Sequence, residues 1–188
     1  MGKIIVWNVM TLDGCFEGPE KWDLSFHGKV WGPELETLSK EFGQTAAALV
    51  FGRITYEGMA AYWTTADEEV SEIKTFMNAL PKIVASRTMS RADWNNSHVA
   101  TDIVGELRRL KQASEKNIYI FGSAELVASL LPETGLINEI MVCIAPILLG
   151  AGTPLFKPLP IQVPLTLMES RSLTNGGVIL RYATQADA

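Results

Sequence analysis

Three stretches of this 188-residue chain place glycine, hydroxyl and cationic side chains where an apolar run gives way to an amphipathic one. The first is Leu49-Val50-Phe51-Gly52-Arg53-Ile54-Thr55-Tyr56. Glycine at the end of a strand permits a tight turn, and the helix that follows presents unpaired N–H groups to an anion. Arg53 adds a forked guanidinium suited to phosphate, and Thr55 a hydroxyl. The second, Ile83-Val84-Ala85-Ser86-Arg87-Thr88, ends in a hydroxyl–cation–hydroxyl run that would suit a phosphate monoester. The third, Tyr119-Ile120-Phe121-Gly122-Ser123-Ala124-Glu125-Leu126, has small residues that let a pyrophosphate approach backbone donors. Each alone also reads as an ordinary helix start or solvated loop. Together they point to a dinucleotide carrying an extra phosphate, because two of the three supply arginine.

Other chemistries find fewer parts. Cys15 and Cys143 stand far apart in apolar surroundings, and His27 and His98 are the only histidines. Structural zinc wants about four ligands, so no metal site is expected and the cysteines read as buried free thiols. A serine hydrolase would need a G-x-S-x-G elbow, which is absent from the chain. A purely structural dimerisation module would leave the two cationic junctions without a purpose.

The elements that must position these groups alternate. Lys3–Val9, Ala47–Phe51, Ile83–Ala85 and Asn117–Phe121 read as buried strands. Between and after them, helices are expected over Pro33–Phe42, Arg53–Tyr62, Glu68–Leu80, from the Asp102 cap to Gln112, and over Ala124–Leu131. Then the pattern changes: Glu139–Leu148, Val163–Ser170 and Val178–Ala183 are strand-like, with no helix between the last two. The expected fold is a single α/β domain over 1–188, with a mainly parallel central sheet, helices on both faces and a C-terminal antiparallel hairpin. Ligands of such sheets bind outside the carboxyl ends of the strands, where all three junctions fall.

Composition agrees with a folded globular protein: 47% hydrophobic, 20% charged, net charge −5. The acidic balance opposes binding to nucleic acid or anionic lipid. The apolar stretch Ile140–Gly152 is too short for a membrane span, and Asp13 interrupts the N-terminal apolar run. A cytoplasmic protein acting on a small molecule is expected.

The ordered set of motifs resembles the dihydrofolate-reductase-like superfamily, and within it stand-alone relatives of the C-terminal reductase domain of the bifunctional riboflavin-biosynthesis deaminase-reductase. The residues that carry the resemblance are Thr11-Leu12-Asp13-Gly14, Phe51 to Glu57 with Ala61-Tyr62-Trp63, Val84 to Thr88, Ile120 to Leu126, and Ile144 to Phe156. The resemblance implies a dihydrofolate-reductase-like fold, NADPH as cofactor and a homodimer. It assigns Gly52, Arg53 and Thr55 to the cofactor phosphates, Ser86 and Arg87, with Thr88 beside them, to the 2′-phosphate, and Gly122, Ser123, Ala124 and Leu126 to the pyrophosphate.

Hydride transfer to a C=N or C=O bond also needs a proton. Asp13, after the first strand, and Asp23, before the first helix as in folate reductases, are the candidate donors; Asp13 equally suits a turn. Glu17 and His27 follow. Trp7, Trp22, Trp31 and Trp63 could wall an aromatic pocket or belong to the core. The expected function is NADPH-dependent reduction of a pteridine-like or aminopyrimidine-like heterocycle. The alternative is a non-catalytic NADP(H)-binding protein without a proton donor.

Overall fold

The computed structural model describes residues 1–66 and 71–184. Its centre is an eight-stranded sheet in the order β5-β4-β3-β6-β1-β7-β10-β9. These are Ser97–Ala100 (β5), Lys82–Ala85 (β4), Ala46–Gly52 (β3), Asn117–Phe121 (β6), Ile4–Thr11 (β1), Glu139–Ala145 (β7), Val178–Thr184 (β10) and Leu165–Ser172 (β9). The six strands from β5 to β7 are parallel, whereas β10 runs antiparallel to both β7 and β9. A second ladder pairs Cys15–Glu17 (β2) with Thr153–Pro154 (β8).

Alternation along β1 sorts the helices. Ile5, Trp7 and Val9 share one buried cluster with α1 (Pro33–Thr45), α2 (Arg53–Thr65) and α3 (Ser71–Ala79). Ile4 and Val6 face the other cluster, with α4 (Ile103–Ala113) and α5 (Ala124–Leu130). A strand buried on both faces reads as a continuous apolar run, which is why Ile4–Val9 was legible. The expected α/β architecture and terminal hairpin are the observed ones.

The differences are local. The expected helix over Glu68–Leu80 is seen as Ser71–Ala79; residues 67–70 lie outside the described ones. β7 ends at Ala145, before Pro146, whose nitrogen carries no hydrogen for a ladder. The last hairpin's first strand lies two residues later than expected, at Leu165–Ser172. β5 was missed because it is a short edge strand whose His98 is exposed, so it has no apolar run to betray it.

β3 and β6 are neighbours, yet α2 leaves β3 on one face and α5 leaves β6 on the other. Diverging connections open a crevice between the carboxyl ends of two adjacent parallel strands. A fourth strand-to-helix junction, β5 to α4, borders the same edge. There the Asp102 carboxylate accepts the Gly105 N–H at 3.0 Å, the expected cap. Asp102→Ala is expected to lower stability by about 1 kcal/mol, read as a lower urea midpoint with an unchanged slope.

Candidate functional site

The crevice is a cavity of about 990 Å³, large enough for a dinucleotide and a small second ligand. It runs along the carboxyl edge of the sheet. Ser86, Arg87, Ala100 and Thr101 line the β4–β5 end; Gly52, Arg53, Thr55, Gly122 and Ser123 line the middle over β3 and β6; Trp7, Asn8 and Val9 of β1 line the far end.

The middle is tied by hydrogen bonds between the two diverging junctions. Ser123 Oγ accepts the Gly52 N–H at 2.6 Å and donates to Thr55 Oγ1 at 2.8 Å. The hydroxyl is therefore spent on joining β6 to β3 and does not cap α5. Gly122 and Ser123 both have left-handed backbones, with φ of 56° and 61°. A β-carbon at Gly122 would fall 2.9 Å from the Thr55 methyl, so the approach of the two loops requires glycine there. The Gly122 N–H donates to Asn8 Oδ1 at 2.8 Å, which extends the tie to β1.

Arg53 opens α2 and its guanidinium bonds Glu57 one turn on at 3.0 Å, both half-exposed. An incoming phosphate would have to share it. Ser86 Oγ accepts the N–H groups of Thr88 and Met89, which leaves its own proton free for another acceptor. Arg87, beside it, has no ion-pair partner among the described residues. Of the ten residues assigned to the cofactor, nine line this one cavity; Thr88 does not, its N–H closing the Ser86 turn instead.

The two candidate proton donors fall elsewhere. Asp13 does not line the cavity: its carboxylate accepts the Thr11 hydroxyl and the Gly150 N–H, bonds that hold its pKa below the usual range. It pins the turn after β1 to the loop after β7. Asp23 is likewise outside; its carboxylate accepts the Ser25 N–H at 3.1 Å and packs on Gly18. Glu17 and His27 do line the cavity, as do Trp7 and Trp22, whereas Trp31 and Trp63 do not. Among the described residues no group of three or more His, Cys, Asp or Glu could hold a metal, and no helix is long and apolar enough to cross a membrane.

Asn8, Thr101 and Lys157 are among the lining residues to which the sequence reading gave no site role. Asn8 is a buried polar residue inside an apolar strand, a signal in itself. Thr101 sits at the β5–α4 junction, which the Asp102 cap marked once a strand was known to precede it. Lys157, 3.6 Å from Glu125, comes from a loop with no periodic pattern.

A profile of the RibD C-terminal domain matches residues 2–179. An uncharacterised Bacillus subtilis protein, YyaP, is 26% identical over 186 residues, covering 96% of this chain and 94% of its own. A crystal structure from Shewanella sp. PV-4, provisionally described as a riboflavin biosynthesis protein, superposes with a TM-score of 0.79 at 22% identity, covering 97% of this chain and 99% of that one. Enterococcus faecalis dihydrofolate reductase complexed with NADP(H) gives 0.63 at 14% identity, covering 97% and 96%.

Burial gives His27 a measurable signature. Its ring packs edge-on against Phe26, its Nε2 is buried without a partner among the described residues, and burial pushes its pKa down to about 4. The native state therefore refuses a proton that the unfolded chain takes up near pH 6.5. The stabilisation is full above about pH 6.5 and is lost as pH falls toward 4. Relative to His27→Leu, the wild type should lose on the order of 2 kcal/mol between pH 7.5 and 4.5, measured by urea denaturation at each pH.

Proposed function

Because the chain belongs to the RibD C-terminal domain family, we propose that it is an NADPH-dependent reductase that delivers hydride to a small heterocycle of the pteridine or aminopyrimidine kind. The observation that carries this reading is the order of the junctions along one cavity. Strand order puts Ser86 and Arg87 at one end, the Gly52–Thr55 and Gly122–Ser123 junctions next, and β1 beyond them. A dinucleotide presents its groups in the same sequence: 2′-phosphate, pyrophosphate, nicotinamide. The family name and the fold shared with an NADP(H)-binding reductase support it.

The residues present fit the cofactor. Arg87 and the free Ser86 proton suit a phosphate monoester, and Thr101 adds a hydroxyl beside them. The turn at Gly122 keeps backbone, rather than a β-carbon, close to Thr55 and the middle of the cavity. The first N–H groups of α2 have no partner within the helix, and Gly52 supplies no side-chain cap. Bound NADPH would supply the hydride. The chain's own residues do the rest: Arg53 and the two loops hold the phosphates, and Trp7, Asn8 and Val9 border the reacting end.

Glu17 and a neutral His27 line the cavity whereas Asp13 and Asp23 do not, so these, or water beside them, are assigned the proton role. With Asp13 and Asp23 both outside, a non-catalytic NADP(H)-binding protein is the second reading. It would bind NADPH yet leave it unoxidised with every pteridine and aminopyrimidine tried.

Nucleotide titrations of purified variants test the cofactor assignment. Arg87→Ala should weaken NADPH about 10- to 100-fold, the size of one charge-assisted phosphate contact, and leave NADH nearly unchanged. Equal losses for both would remove Arg87 from the 2′-phosphate. Arg53→Ala should weaken both nucleotides, and unchanged binding of either would sink the α2 phosphate site.

A further inference from the structure

Two locally unfavourable residues meet at the substrate end of the cavity. Trp22 has a left-handed backbone, φ 66°, which a bulky side chain rarely adopts. Gly58 sits inside α2, where alanine would suit a helix better. The Trp22 indole lies directly on Gly58: a β-carbon there would fall 2.6 Å from the ring carbons Cδ2, Cε2 and Cε3. Both choices serve one contact, and local rules broken together at a cavity wall mark a functional demand.

The contact is held from three sides. The Trp22 backbone N–H donates to Glu17 Oε1 at 2.6 Å, while Glu17 Oε2 accepts from the Thr153 hydroxyl at 3.2 Å. The Gly18 N–H donates to the Asp23 carbonyl at 2.9 Å and closes the loop that carries Trp22. The ring is not core: Trp22 is only partly buried and lines the cavity, as do Leu24 and Met59. The cations that line the cavity come from other segments, Arg53, Arg87 and Lys157, and Arg53 and Lys157 are already paired with Glu57 and Glu125.

We propose that Trp22 is the stacking wall of the substrate pocket, fixed by Glu17 and Gly58 so that the site selects a flat, uncharged heterocyclic ring. The inference rests on the reductase reading and narrows its substrate. Gly58 is a positioning residue that acts through the indole, and Glu17, besides the proton role proposed for it, positions the indole through the Trp22 backbone N–H. Planarity is what the wall reads, since a stacked ring loses contact once it puckers.

The test uses lumazine, a flat pteridine-dione, titrated by calorimetry into the NADPH-loaded wild type, W22L, W22F and G58A. W22L should bind lumazine about tenfold more weakly, the scale of one lost base–aromatic stack, and W22F should recover most of the loss. G58A should show the same weakening with NADPH affinity unchanged. Its Tm should fail to rise, although glycine-to-alanine in a helix ordinarily stabilises. No lumazine binding to the wild type, equal binding to W22L, or a G58A protein that is more stable and binds normally would each overturn the proposal. Failure of NADPH to bind the wild type would instead remove the reductase reading. The stacking claim would then stand or fall on lumazine and the nucleotide-free protein.

Discussion

Adjacent parallel strands whose connections leave on opposite faces are pushed apart at their carboxyl ends, and something must hold the resulting crevice at a fixed width. Here it is the Ser123 hydroxyl, which accepts from Gly52 and donates to Thr55 across the gap between β6 and β3. Both partners belong to the β3–α2 junction, so one oxygen would set the spacing of the phosphate site proposed for the cofactor. The bond is possible because Gly122 removes a side chain that Thr55 would strike, and Asn8 anchors the Gly122 N–H from the third strand. The rest of the site is laid out from this tie, with β4 and β5 on one side and β1 on the other.

That layout gives the cavity a polarity. Hydroxyls and a cation with no ion-pair partner among the described residues gather at the β4–β5 end, where Ser86, Arg87 and Thr101 come from two separate junctions. The β1 end is lined by Trp7, Asn8 and Val9, and Trp22, Leu24, Met59, Glu17 and a neutral His27 add an aromatic and aliphatic lining to the same cavity. An anionic dinucleotide laid along such a gradient has one favourable direction. The loop between β2 and the first 3-10 turn (Ser25–Lys29) contributes the strained Trp22, and the β2–β8 ladder braces it through Glu17 and Thr153.

Much of this was legible in the residues themselves. Glycine followed by arginine or serine after an apolar run signals a strand-to-helix junction, through a left-handed backbone at Gly122 and the close approach of Ser123 at Gly52, and nine of the ten residues assigned to the cofactor line the cavity. Asp13 and Asp23 lie outside the cavity, and the sequence does not separate a turn carboxylate from a catalytic one: both carboxylates here accept backbone N–H groups of their own or nearby loops. Glu17 carried no comparable pattern, since its value comes from contacts with Trp22 and from Thr153, distant in sequence. β5 stayed hidden for the same reason: an edge strand with an exposed His98 has no periodic apolar signal.

The most direct measurement is a crystal structure of the protein soaked with NADPH. The account predicts the 2′-phosphate on Ser86 and Arg87, the pyrophosphate between the Gly52 and Gly122 loops, and the nicotinamide beside β1, facing Trp22. A nucleotide bound in the reverse direction, or outside this cavity, would contradict it.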